Sequence, residues 1–326
     1  MERLYPLKFS EIFKQKVWGG TRLSSLLNKD FSPLPNCGES WELSGVEKDV
    51  SVVRNGFLQG NDLRELAGVY MGDLLGDSVF ERFGPNFPLL FKFLDTSAYL
   101  SVQVHPDDVF AAKKHQGMGK TEMWYVLHAT PDAEIIVGFR EDIDRETFMH
   151  HLENKSLREI LNVEKPQPGD VYFLPPGRVH AIGAGITLCE IQQASDITYR
   201  VYDWDRPGLD GKPRQLHVKD ALDVMDFKAQ QTYNTSFEPQ ADGSVNLVKS
   251  KHFTTNLLSF KQAVEMDYFF LDSFVVYVCL EGKFTLKYPW GSESVQKGDT
   301  VLMPAEIKNV EMEPESGCRV LETYIH

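Results

Sequence analysis

Long stretches of this chain alternate apolar and polar positions, and a period of two puts successive side chains on opposite faces of a strand. In Ser101-Val102-Gln103-Val104-His105-Pro106 the two valines share one face, and Ser101, Gln103 and His105 share the other. Residues 122–127 alternate in the same way, Glu122, Trp124 and Val126 against Met123, Tyr125 and Leu127. Further strands are predicted at 88–94, where Lys92 alone interrupts an apolar run, and at 133–139, 186–192, 198–202, 268–280 and 284–288. The turn at 95–98 predicts a hairpin between the Lys92 and Gln103 strands. Thr130-Pro131-Asp132 predicts a second hairpin, returning the Glu122 strand into 133–139.

Helical spacing is rarer. Leu63, Leu66, Ala67, Tyr70 and Leu74 recur at helical intervals behind Asn61 or Asp62 as a cap, and Leu23, Leu26 and Leu27 mark one short helix before them. Residues 1–60 otherwise read as short strands and turns that cover one end of a barrel and carry no chemistry. Ile143, Phe148, Leu152, Leu157, Ile160 and Leu161 predict a helical insertion over 142–161, with Ser156 and Glu159 as a capping box and His150 and His151 on its surface. Residues 228–250 turn polar and read as a linker or loose hairpin.

One segment has more specific punctuation. In 168–180, Pro168-Gly169 makes a turn, five residues form a short strand, and Pro175-Pro176-Gly177 makes a second turn that presents His180. This spacing resembles the second signature of the cupins, small antiparallel jelly-roll barrels with a metal at the centre. Residues 297–309 repeat it, with Glu306 at the place of Gly177 and Asn309 at the place of His180. The chain is therefore expected to be mainly β, with N-terminal helices and two cupin-like barrels. Residues 1–230 would form a catalytic barrel and 231–326 a degenerate, metal-free one.

Gln103, His105, Glu122 and His180 come from separated segments and together make a metal-ligand set. Two imidazoles and a carboxylate suit zinc, with iron and manganese as competitors, and the Gln103 amide is a weak further ligand. Taken singly, a histidine is more often structural than ligating, and Gln103 has the weakest individual case. Lys92 either snorkels to a barrel edge or holds an anion. Arg200 is either paired with Glu190 or Asp196 or kept for substrate.

Composition narrows the partners. With 326 residues, 42% of them hydrophobic and 12% aromatic, the chain has ample material for a large core and a length that suits two domains. A net charge of -13 disfavours nucleic acid and anionic membranes, so positive contacts to an anionic substrate must be local. The N-terminus lacks a signal-peptide core, the apolar stretches are too short to span a bilayer, and the 4 cysteines form no C-x-x-C pair. A reduced, cytoplasmic protein, monomeric or homodimeric, is expected.

Phe87-Pro88-Leu89-Leu90-Phe91-Lys92, Ser101 to Pro106, Gly119-Lys120-Thr121-Glu122 and residues 193–200 resemble, in order, the motifs of type I mannose-6-phosphate isomerases in their short bacterial form. Longer members tend to have proline at the place of Thr121. The resemblance implies one zinc per chain on Gln103, His105, Glu122 and His180, with Arg200, Lys120 and Asp196 in the active site. Lys92, with Ser101 beside it, would contact the substrate phosphate. The implied reaction interconverts mannose 6-phosphate and fructose 6-phosphate through an enediol, its general base open among Asp196, Glu190 and a zinc-bound water. Two rivals remain, an iron-dependent cupin dioxygenase and a metal-free sugar-binding or regulatory cupin.

Overall fold

Alternation buries one face of each strand and leaves the other for a second layer. In the computed structural model, which describes residues 3–326, the strands form four antiparallel sheets. The first outer sheet runs Tyr199–Tyr202, Val102–Val104, His180–Ile182, Ile135–Phe139, Leu161–Glu164. The first inner sheet runs Ile12–Lys14, Glu39–Ser44, Leu89–Asp95, Ile186–Gln193, Glu122–Ala129, Val171–Leu174. Trp124, Val126 and Leu188 of the inner sheet pack with Ile135, Val137 and Ile182 of the outer one, which makes this pair a cupin-like unit.

The second unit repeats the plan. Its inner sheet runs Leu7–Lys8, Thr300–Met303, Val275–Glu281, Cys318–Tyr324, Thr254–Phe260, Gly243–Lys249. Its outer sheet runs Val264–Asp267, Asn309–Pro314, Lys283–Tyr288, Gly291–Gln296. Tyr277, Cys279, Phe284 and Met312 fill the space between them. The two inner sheets then pack back to back through Phe91, Phe93, Met123 and Ile191 against Val276, Val278, Leu302 and Leu321. This double burial explains why the Lys92 and Glu122 strands carry apolar residues on both faces.

Both predicted hairpins differ from the structure for one reason. Leu89–Asp95 pairs with Glu39–Ser44 and Ile186–Gln193, while Val102–Val104 lies in the facing sheet. Likewise Glu122–Ala129 pairs with Ile186–Gln193 and Val171–Leu174, and Ile135–Phe139 crosses to the outer sheet. Each turn carries the chain between layers instead of folding it back within one, and this creates a lined interior. The N-terminal strand Leu7–Lys8 joins the second inner sheet beside Thr300–Met303.

Asp62 caps the helix Leu63–Leu75, accepting from the Glu65 amide at 2.8 Å. The insertion forms Arg145–Glu153, capped by Asp144, and a short turn Leu157–Glu159. Ser156 makes no capping bond there; its hydroxyl meets His151 Nδ1 at 2.8 Å. Phe148 and Leu157 of this insertion, with Ala221 of the helix Val218–Val224, cover the outward valines Val102 and Val104. The opposite face of that strand looks inward.

Candidate metal centre

Strand register builds the site in rows. In the first outer sheet Arg200, Gln103 and His180 stand opposite one another on three neighbouring strands. In the inner sheet Lys92, Glu190 and Trp124 form a second row, and Glu122 pairs with Gln192 two residues further on. The turn before His180 depends on Gly177, whose φ of 84° is open to glycine, and whose missing Cβ would sit 2.7 Å from Val224 O.

The facing rows bring His105, Glu122 and His180 into one cluster with ligand atoms within 4.8 Å of one another. His180 Nε2 lies 3.3 Å from Glu122 Oε1, and His105 Nε2 lies 3.5 Å from Oε2. Each imidazole is oriented from behind, His105 Nδ1 by Ile197 O and His180 Nδ1 by Arg178 O, both at 2.9 Å. Such contacts keep the Nδ1 proton in place and leave the Nε2 lone pairs facing the cluster. The Gln103 amide adjoins His180 Nε2 at 3.3 Å.

The carboxylate is the anomaly. Glu122 is fully buried, and apart from an ion pair between Lys120 Nζ and its Oε2 at 3.3 Å its oxygens make no hydrogen bond, so its charge is only partly compensated. Burial pushes the Glu122 carboxyl up to about 7, against the pull of Lys120. Burial also pushes His180 down to about 4 and His105 well below the usual imidazole value, so both rings are neutral near pH 7. Two neutral imidazoles and a buried carboxylate that faces both of them fit a borderline-soft divalent cation.

A cavity of about 430 Å³ opens above this cluster, lined by Lys92, Ser101, Gln103, Lys120, Glu190, Asp196 and Arg200 among others. The structure therefore brings together the residues singled out from the sequence, and it supplies the partners of each. Lys120 Nζ is 3.3 Å from both Glu122 Oε2 and His105 Nε2. Lys92 Nζ donates to Glu190 Oε1 at 2.8 Å, and Trp124 Nε1 donates to Glu190 Oε2 at 2.9 Å. Burial opposes charge on Glu190, but Lys92 and Lys120 hold its carboxyl below the usual range. Arg200 pairs with neither Glu190 nor Asp196; its Nε donates to Ser101 Oγ at 3.2 Å and a terminal nitrogen to Gln215 O at 2.9 Å. Asp196 sits exposed on the cavity wall.

The N-terminal stretch, expected to be a cover without chemistry, lines the same cavity with Lys14, Lys16, Trp18, Glu39 and Trp41. Lys16 bridges to Glu39 Oε1 at 3.1 Å. Burial alone would raise the Glu39 carboxyl, but the charges of Lys16 and Lys92 overcome it and hold it down at about 2. The signal was present in Glu39-Ser40-Trp41, where a charge and an aromatic ring share one strand face, and Trp41 stands opposite Lys92.

Paired antiparallel sheets with two imidazoles and a carboxylate clustered between them define a cupin-like protein whose cluster could hold a metal ion. A model of the phosphomannose isomerase type I catalytic domain matches residues 6–123. Mannose-6-phosphate isomerase ManA of Bacillus subtilis is 35% identical over 329 residues, an alignment spanning 97% of this chain and 98% of that protein. The mannose-6-phosphate isomerase of Streptococcus mutans is 35% identical over 305 residues, spanning 93% and 94%. A crystal structure of the mannose 6-phosphate isomerase from Bacillus subtilis superposes with a TM-score of 0.88 at 31% identity, covering 98% of this chain and 99% of that one. The chain belongs to the type I phosphomannose isomerase family.

Proposed function

We propose that this chain interconverts mannose 6-phosphate and fructose 6-phosphate through an enediol, with one zinc ion held by Gln103, His105, Glu122 and His180. The observation that carries the reading is the buried Glu122 carboxylate, its oxygens 3.3 and 3.5 Å from the Nε2 atoms of His180 and His105, next to Gln103 and Lys120, which line a cation-rich cavity. When bound, zinc supplies a Lewis acid for the substrate oxygens on which charge develops.

The chain's own residues divide the remaining work. Arg200 and Lys120 place cationic donors on the side of the cavity where the C1 and C2 oxygens gain charge, and such donors count for more in a desolvated site than in water. Asp196, on the wall and free of the clamp that holds Glu190, carries the proton between C2 and C1. Glu190 is bonded on both oxygens and stays anionic, so it positions Lys92. An ammonium has three donors, and Lys92 spends one on Glu190 Oε1. Its remaining donors and the Ser101 hydroxyl meet the phosphate. We assign the catalytic unit to 1–230 and a supporting role to 231–326, and place the reaction in the reducing cytoplasm, where the 4 free, buried cysteines stay reduced.

A coupled assay on mannose 6-phosphate, with and without chelator, tests the reading. Turnover that chelator abolishes and zinc restores is expected. Absence of turnover with intact sugar binding would favour a metal-free binding protein instead.

A further inference from the structure

Register maps the second unit onto the first residue by residue. The row Lys92, Glu190, Trp124 has its counterpart in Asn256, Glu322, Tyr277 on the equivalent strands. Two residues along, the pair Gln192 and Glu122 becomes Tyr324 and Val275. In the outer sheets His180 opposite Gln103 becomes Asn309 opposite Asp267. Three metal ligands are thereby matched by Asp267, Val275 and Asn309, a set with no imidazole.

The carboxylate beneath them is kept. Glu322 is 3% exposed, and its Oε2 accepts from Asn256 Nδ2 at 2.7 Å, as Glu190 accepts from Lys92. Its Oε1 accepts from the Tyr268 hydroxyl, as Glu190 accepts from Trp124. A cavity of about 400 Å³ opens here, lined by Asp267, Tyr268, Phe270, Leu271, Glu322, Tyr324 and His326. It contains the counterparts of Gln103 and Glu190, both of which line the first cavity of about 430 Å³. Among the described residues, no lysine or arginine lines it, and His326 is its one basic side chain. At its mouth Phe270 is 97% exposed, its ring 5.1 Å from that of the exposed Phe269.

We propose that this cavity is a second, metal-free and non-catalytic site for a neutral hexose. Carboxylate and phenol oxygens meet sugar hydroxyls, while the faces of Phe270 and Tyr324 cover its C–H surface. Two acids with no lysine or arginine beside them disfavour a phosphorylated sugar. The sugar reading of the first cavity supplies only the choice of hexose as ligand.

Saturation-transfer NMR with D-mannose on the intact, chelator-treated protein tests this, with mannose 6-phosphate added to fill the first cavity. The mannose signal should persist under mannose 6-phosphate. Phe270→Ala, at a position too exposed to disturb folding, should weaken binding about fivefold, the loss of one ring contact, and leave turnover unchanged. Glu322→Gln, checked by thermal melt, should weaken it as well. No mannose signal, displacement by mannose 6-phosphate, or equal binding by Phe270→Ala and wild type would each overturn the proposal. Failure of the isomerase reading would appear separately, as absent turnover in the coupled assay.

Discussion

The Lys92 ammonium lies 2.8 Å from Glu190 Oε1, and both side chains are almost wholly buried. Burial disfavours charge on Lys92, but Glu190 and Glu39 reverse this and raise its pKa above the usual value. The pair therefore behaves as a unit in which neither charge is independent of the other.

Lys92→Met removes the ion-pair partner of the buried Glu190 carboxylate and leaves it only Trp124 and the more distant Lys120; breaking such a pair destabilises by up to about 3–5 kcal/mol. Lys92→Met with Glu190→Gln should recover most of that loss in thermal melts. Under the phosphate assignment both variants also raise KM more than they lower kcat. An additive double-variant cycle in the melts would show that the two residues do not couple.

Metal content follows from the buried Glu122 carboxylate, which faces the Nε2 atoms of His105 and His180. Elemental analysis should find about one zinc per chain, and His105→Ala or His180→Ala should remove both metal and turnover. Full occupancy in both variants would reject the ligand set.

Arg200 donates to Ser101 and to a backbone carbonyl rather than to an acid, so its removal strands no buried carboxylate. Arg200→Ala should retain zinc and lower kcat by about two to three orders of magnitude, the usual loss for one electrostatic donor. Arg200→Lys should recover only part, because an ammonium lacks the planar fork. A variant that melts much earlier but turns over normally would remove Arg200 from the mechanism.

Glu39 predicts an acid limb. Its folded pKa of about 2 lies below the ordinary 4.5. The folded state thus binds this proton less readily than the unfolded one, and the stabilisation is present above that ordinary value. It should be lost as pH falls from the ordinary value toward the folded one, with an upper bound of about 3 kcal/mol. Glu39→Gln should flatten this part of a pH series of urea midpoints, and an unchanged slope would show that Lys16 and Lys92 do not hold the carboxylate.

The amino-acid sequence by itself determined which side chains share a strand face, because a period of two is a local property of the backbone. Ser101, Gln103 and His105 could be placed opposite Val102 and Val104, and His180 on its turn, without any contact in view. The repeat at 297–309 was legible for the same reason: Gly169 and Gly298 both take a left-handed φ, 98° and 91°, that glycine accepts readily. What the tertiary structure alone decided was which faces meet. The turns at 95–98 and 130–132 carry ordinary turn residues, and nothing local states whether the next strand pairs beside the last or crosses to the facing sheet. Because both cross, Lys92 meets Glu190 across 98 residues of chain. For the same reason Arg200 finds Ser101 instead of an acid, and the shared face of Glu39 and Trp41 turns into the cavity rather than to solvent. Partner choice across such separations depends on the summed packing of whole sheets, and no single stretch of sequence contains that sum.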